Sequence, residues 1–115
     1  MSIKIYHNPR CSKSRETLQL LRDRGIEPEI VEYLKTPPSE QELDAILQKL
    51  GMEPRDLMRK KEAPYDENDL LAPSLDRQTL IQAMVRFPIL IERPIVVNGD
   101  KAAIGRPPEK VLAIL

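Results

Sequence analysis

Ile3-Lys4-Ile5-Tyr6-His7-Asn8-Pro9-Arg10-Cys11-Ser12-Lys13-Ser14-Arg15 is the stretch from which the fold of this chain is read. A β-favouring run gives way to a polar turn. That turn delivers a thiol to the first turn of a helix, where unpaired backbone N–H groups and the positive end of the helix dipole favour an anion. A cysteine so placed is pushed toward thiolate, from about 8.5 to roughly 3.5–7.5 in pKa. Cys11 is the only cysteine and His7 the only histidine, and Arg10, Lys13 and Arg15 add positive charge around them. Free cysteines elsewhere are mostly small buried hydrophobes. This one lies in a polar, cationic loop, so it reads as a nucleophile.

Composition limits what surrounds that loop. The chain has 115 residues, the length of one domain, 1–115, able to bury about two thirds of its unfolded surface without disulfides or metals. Eighteen basic residues balance eighteen acidic ones, which leaves no electrostatic footprint for nucleic acid or an anionic membrane. One cysteine closes no internal disulfide, and one Cys with one His builds no zinc cage. Lys4, His7 and Arg10 interrupt the apolar stretch that a secretory leader needs, and no run reaches the ~18 apolar residues of a membrane span. A free thiol suits a reducing compartment, and the expected location is cytoplasmic.

The order of elements follows from periodicity and punctuation. Ile3 to Tyr6 reads as a first strand. A helix from about Ser12 to Arg24 carries Leu18 and Leu21 on one face and stops at Gly25. Glu29 to Tyr33 reads as a second strand, parallel to the first in a βαβ unit. Ser39-Glu40-Gln41-Glu42 is a capping box opening a helix with Leu43, Ile46, Leu47 and Leu50 on one face, ending at Gly51. A helical turn is expected around Pro54 to Lys60, then a proline-punctuated loop from Pro64 to Pro73. Asp76 caps a further helix to Phe87, with Leu80 and Met84 on its apolar stripe. Pro94 to Val97 and Lys101 to Ile104 flank Asn98-Gly99-Asp100, a hairpin signal, and a last helix runs from near Pro108 to Leu115. The plan is βαβ, a helical insertion, then ββα: an α/β fold with a small mixed sheet flanked by helices.

A cysteine where strand one meets helix one of such a plan is thioredoxin-like, and the chain resembles the glutaredoxin-linked arsenate reductase family (ArsC-type) over essentially its full length. Five ordered motifs carry the resemblance. They are His7-Asn8-Pro9-Arg10-Cys11 with Ser14-Arg15; Tyr33-Leu34-Lys35-Thr36-Pro37-Pro38; Leu57-Met58-Arg59-Lys60; Pro88 to Val97; and Gly105-Arg106-Pro107-Pro108-Glu109. The resemblance implies that Cys11 is the nucleophile. It implies that Arg59, Arg93 and Arg106 hold the oxyanion, that His7 and Ser14 support the thiolate, and that Pro94 is the cis-proline facing the active thiol. Arginine suits the task, because a planar guanidinium fork matches tetrahedral oxyanion oxygens and keeps its charge. Ser12-Lys13 follows the cysteine where family members established on arsenate typically have Gly-Thr.

Electron counting adds a constraint. Reducing arsenate to arsenite takes two electrons, and a single thiol cannot supply them by closing a disulfide with itself. A second thiol must come from outside, which fits the implied route through glutathione as co-substrate and glutaredoxin as partner, a route that needs no metal or bound cofactor. Two other readings use the same fold. One is a different glutathione-linked thiol–disulfide reductase acting through Cys11. The other is a non-enzymatic regulator resembling the Spx-type factors that bind RNA polymerase. Those usually carry Cys-x-x-Cys, and here the second position is Ser14.

Overall fold

Ile3–Tyr6 forms strand β1, the centre of gravity of a four-stranded sheet in a computed structural model that describes residues 2–115. Strand β2, Glu29–Val31, runs parallel to β1 with Lys4 opposite Glu29 and Tyr6 opposite Val31. Strands β3, Ile95–Asn98, and β4, Lys101–Ile104, complete the order β2-β1-β3-β4, and both β1–β3 and β3–β4 pairs are antiparallel. The expected mixed sheet is therefore present, with β1 and β2 parallel across a helical connection.

That connection is helix α1, Ser12–Asp23, which ends at Arg24 with Gly25 at φ 76°. Only glycine takes that left-handed conformation without a Cβ penalty, and this is why the helix stops there. Ser14, Thr17, Leu18 and Leu21 are its buried residues, at i, i+3, i+4 and i+7. Leu18 and Leu21 pack with Ile5 of β1, Val96 of β3 and Val111 of the C-terminal turn. Each fully buried aliphatic side chain of this kind contributes about 1.5–3 kcal/mol. Ile5 and Val96 are register partners, so α1 is seated on one face of the β1–β3 pair. The position of the Cys11 loop follows from that seating.

The fold comprises two compact units. One holds the described residues up to Thr36 together with Arg93–Leu115; the other is Pro37–Glu92. The second contains helix α2, Glu40–Leu50, whose capping box forms as expected. Glu42 N donates to Ser39 Oγ at 3.1 Å, and Ser39 N donates to Glu42 Oε1 at 3.3 Å. It also contains α3, Ala63–Glu67, and α4, Arg77–Arg86, capped by Asp76. Leu43, Ile46 and Leu47 of α2 and Leu80, Ile81 and Met84 of α4 are buried. Arg77 Nη2 reaches Asp44 Oδ1 at 2.7 Å between the same two helices.

Four details differ from the sequence reading. Helix α3 lies inside the segment read as a loop, because Pro64 occupies the first helical turn, where its missing N–H costs nothing, and Tyr65 is buried. Strand β2 stops at Val31, since Lys35 N and Thr36 N both donate to Glu32 O and turn the chain. The turn near Pro54 is 3-10 and covers only Pro54–Leu57. The last element, Pro108–Ile114, is also 3-10. Pro107 and Pro108 remove two successive N–H donors at its start, and short tight turns are how such ends close. The hairpin forms as expected, with Asn98 paired to Lys101 and Gly99 at φ 63°. Positive φ at Gly99 and not at Asp100 is the pattern of a type II′ turn. No helix among the described residues is long and apolar enough to cross a membrane.

Candidate active site

Cys11 is the N-cap of α1, one residue before the helix proper, at φ −91° and ψ 124°. The chain is brought there in three steps. His7 N donates to Val31 O at 2.8 Å and so extends the β1–β2 ladder by one bond. Arg10 N donates to Asn8 Oδ1 at 3.0 Å, an Asx turn, and Cys11 N closes the loop on Asn8 O at 3.0 Å. Arg15 Nη1 then reaches back to Pro9 O at 2.9 Å. This arginine is occupied in fixing the loop.

The thiol is half-buried and free. Burial pushes its pKa up, and four groups together outweigh that: the Ser14 backbone N–H, the Arg93 guanidinium, the Lys13 N–H and a hydrogen bond from Arg106. The net effect holds Cys11 below the ordinary thiol value. Helix-end N–H groups supply the first and third of these, as expected for an anion at an N-terminus. Arg106 Nη1 lies 3.8 Å from Cys11 Sγ and 3.4 Å from Arg93 O. Both arginines precede cis prolines, Pro94 and Pro107.

His7 and Ser14 act as a pair. Both are buried, at 6 % and 0 % exposure. Ser14 Oγ accepts from Asn8 N at 3.0 Å and lies 2.6 Å from His7 Nδ1. A Ser14 hydroxyl that donates to Nδ1 leaves the proton of a neutral imidazole on Nε2. Burial pushes the His7 pKa down; Glu32 opposes this, and Arg22 and Arg15 add to it. His7 is thus a neutral ring. Ser14 links it to the thiol loop: the Ser14 side chain meets His7 Nδ1 and Asn8 N, and the Ser14 N–H faces the sulfur.

Arg59 belongs to the Pro37–Glu92 unit. Its backbone N donates to Leu90 O at 2.7 Å, next to the isolated Met58–Ile91 bridge, and its guanidinium pairs with Glu62 at 3.6 Å and bonds Ile89 O at 3.3 Å.

Two residues of the site escape a reading of charge and nucleophile alone. Thr17, fully buried, donates from Oγ1 to Lys13 O at 2.8 Å and also lies 3.4 Å from Gly105 O. Gly105 is seated so closely that an added Cβ would overlap Thr17 Oγ1 and come within 2.9 Å of Pro94 Cγ. Its neighbour is Arg106. The available signal was the polar pair Ser14 and Thr17 on the same helical face as Leu18 and Leu21. Among the described residues no group of three or more His, Cys, Asp or Glu side chains is arranged to hold a metal ion.

Against known proteins, residues 6–114 match the model of the ArsC family. The chain is 59 % identical over 114 residues to the uncharacterized protein YfgD of Escherichia coli K12, spanning 98 % of this chain and 96 % of that one. It is 53 % identical over 116 residues to the arsenate reductase of Haemophilus influenzae, with both chains fully covered. Among solved structures, the arsenate reductase from Vibrio cholerae superposes with a TM-score of 0.97 at 53 % identity, covering 100 % of this chain and 98 % of that one.

Proposed function

This chain belongs to the ArsC family, and from that membership we propose that it reduces arsenate to arsenite through the Cys11 thiolate, with glutathione as co-substrate and glutaredoxin as partner. The observation that carries the reading is a thiol at a helix N-terminus, held below its ordinary pKa beside Arg93 and Arg106. A thiolate attacking an oxyanion approaches like charge, and guanidinium groups reduce that repulsion while orienting the oxygens. Arg93 and Arg106 are assigned to the oxyanion on this ground, and Arg59 is assigned with them from the family motif.

Cys11 Sγ attacks arsenic and an arsenate oxygen leaves as water after taking up protons. The adduct still contains As(V). Glutathione thiolate then supplies the second sulfur: arsenic takes up two electrons and leaves as arsenite, and Cys11 and glutathione are joined in a mixed disulfide. Two thiols are oxidised to one disulfide, which balances the two electrons gained by arsenic. Glutaredoxin takes up the glutathione and restores Cys11. The single cysteine of this chain is what requires the outside thiol. A reducing, cytoplasmic setting keeps Cys11 free for each turnover.

Ser14 speaks against a regulator that works by closing a Cys-x-x-Cys disulfide, since its hydroxyl is buried and committed to His7 and Asn8. The test is arsenate-dependent NADPH oxidation with glutathione, glutaredoxin and glutathione reductase, alongside protection of Cys11 from a neutral alkylating reagent by arsenate. Replacing Arg59, Arg93 or Arg106 by Ala is expected to weaken protection roughly ten- to hundred-fold, the effect of losing a charged hydrogen-bond partner. No protection of the unmodified protein by arsenate, with ready reaction toward glutathione disulfide, would make it a general thiol reductase instead.

A further inference from the structure

A cavity of about 220 Å³ opens beside the loop that carries Cys11, with His7, Asn8, Pro9 and Arg10 on one wall and Glu32, Leu34 and Lys35 on the other. We propose that this cavity is the docking site for the attacking thiol, a short peptide thiol with a carboxylate and an ammonium at one end. The inference rests on the reaction proposed above and adds the place from which the second sulfur arrives.

Three observations support it. The first is topological. In the sheet order β2-β1-β3-β4, the cavity lies where β1 and β2 end, while Arg93 and Arg106 flank β3 and β4. Cys11 Sγ is hydrogen-bonded on the Arg106 side. An oxyanion held by these arginines leaves the β2 flank of the loop open for a second reactant. A resolving thiol must come from a side that the oxyanion does not fill.

The second is a polar ring in the cavity wall. His7 lines the cavity wall, is 6 % exposed, and has its Nδ1 committed to Ser14. A polar ring in a cavity wall offers a ligand a directed hydrogen bond. The third is charge. Arg10 and Lys35 are exposed cations that line the cavity, and Glu32 lines it too, 3.6 Å from Lys35. A ligand end bearing both carboxylate and ammonium matches a lining with charges of both signs, and Leu34 and Pro9 offer apolar surface to the chain between its ends. A free inorganic anion would meet Glu32 with like charge.

The probe is S-methylglutathione, which keeps the peptide and cannot react. It is titrated onto the full chain while backbone amide shifts are followed by NMR. The expected result is saturable shifts at Asn8, Arg10, Leu34 and Lys35. Lys35→Glu is expected to weaken binding about three- to tenfold, the effect of turning one partly exposed attraction into a repulsion. Arsenate protection of Cys11 from alkylation is expected to be the same in Lys35→Glu as in the unmodified chain. Shifts confined to Pro94 to Arg106, equal affinity in Lys35→Glu, or no saturable binding would each overturn the assignment. Shifts at the cavity produced by glutaredoxin but not by S-methylglutathione would overturn it in favour of a protein partner. Loss of arsenate protection in the unmodified chain would instead remove the oxyanion reading, and the two failures are read on different signals.

Discussion

Replacing Gly105 by alanine is expected to disturb the catalytic thiol by way of packing. The added methyl would overlap Thr17 Oγ1, lie 2.9 Å from Pro94 Cγ and lie 3.0 Å from Thr17 Cγ2. Neither neighbour yields easily. Thr17 is fully buried and bonded to Lys13 O at 2.8 Å, and the Pro94 carbonyl accepts from Gly105 N at 3.0 Å. Overpacking of this kind costs about 1–3 kcal/mol. In a chain of this size that lowers Tm by roughly 4–12 °C. The backbone that must give way is the residue before Arg106, so Nη1 is expected to move off Cys11 Sγ and the thiol pKa to rise. Thermal unfolding and thiolate absorbance against pH read the two effects in one set of samples. A second variant makes the argument specific. Thr17→Ala removes both Oγ1 and Cγ2, so it is expected to cost less on the Gly105→Ala background than alone, with a coupling of about 0.5–2 kcal/mol. A Gly105→Ala protein that melts within about 1 °C of the unmodified chain would refute the reasoning. Strict additivity of the two substitutions would do the same.

Two other perturbations probe the polar pair beneath the loop. Ser14→Ala strands the buried His7 Nδ1 and the Asn8 N–H together, and is expected to cost about 1–3 kcal/mol in chemical denaturation; a cost below about 0.5 kcal/mol would mean that the pair is not holding the loop. For His7, the sign follows from its depressed pKa: the unfolded chain takes up a proton near pH 6.5 and the native ring does so only at lower pH, so stability falls as pH drops below about 6.5. His7→Gln is expected to flatten that part of the stability profile, and an unchanged slope would return the acid sensitivity to the carboxylates.

Much of this molecule is legible in local signals. Ser39 and Glu42 are three residues apart in sequence and make their capping box wherever the helix sits; Gly25, Gly51 and Gly99 mark sites of positive φ because only glycine takes them without strain. The nucleophile was equally local, since a strand, a polar turn and a helix start are all within nine residues of Cys11. Helix α3 was missed because a proline reads as a breaker until a buried side chain such as Tyr65 shows that the chain turns inward there.

What the sequence determined by itself is the inventory: a βαβ start, an inserted helical segment, a ββα end, one thiol and a set of arginines near prolines. Tertiary structure alone decided how those parts meet. Arg106 and Cys11 are 95 residues apart and come within 3.8 Å only because β4 ends beside the start of α1, where Gly105 lets the chain pass Thr17. The lowered pKa of His7 is likewise a tertiary effect. A histidine near a cysteine in sequence suggests a charged pair, but burial and the Ser14 hydroxyl favour the uncharged ring. Charge and local propensity are written residue by residue. Desolvation and close approach depend on what lies across the fold, and they set the protonation of this site.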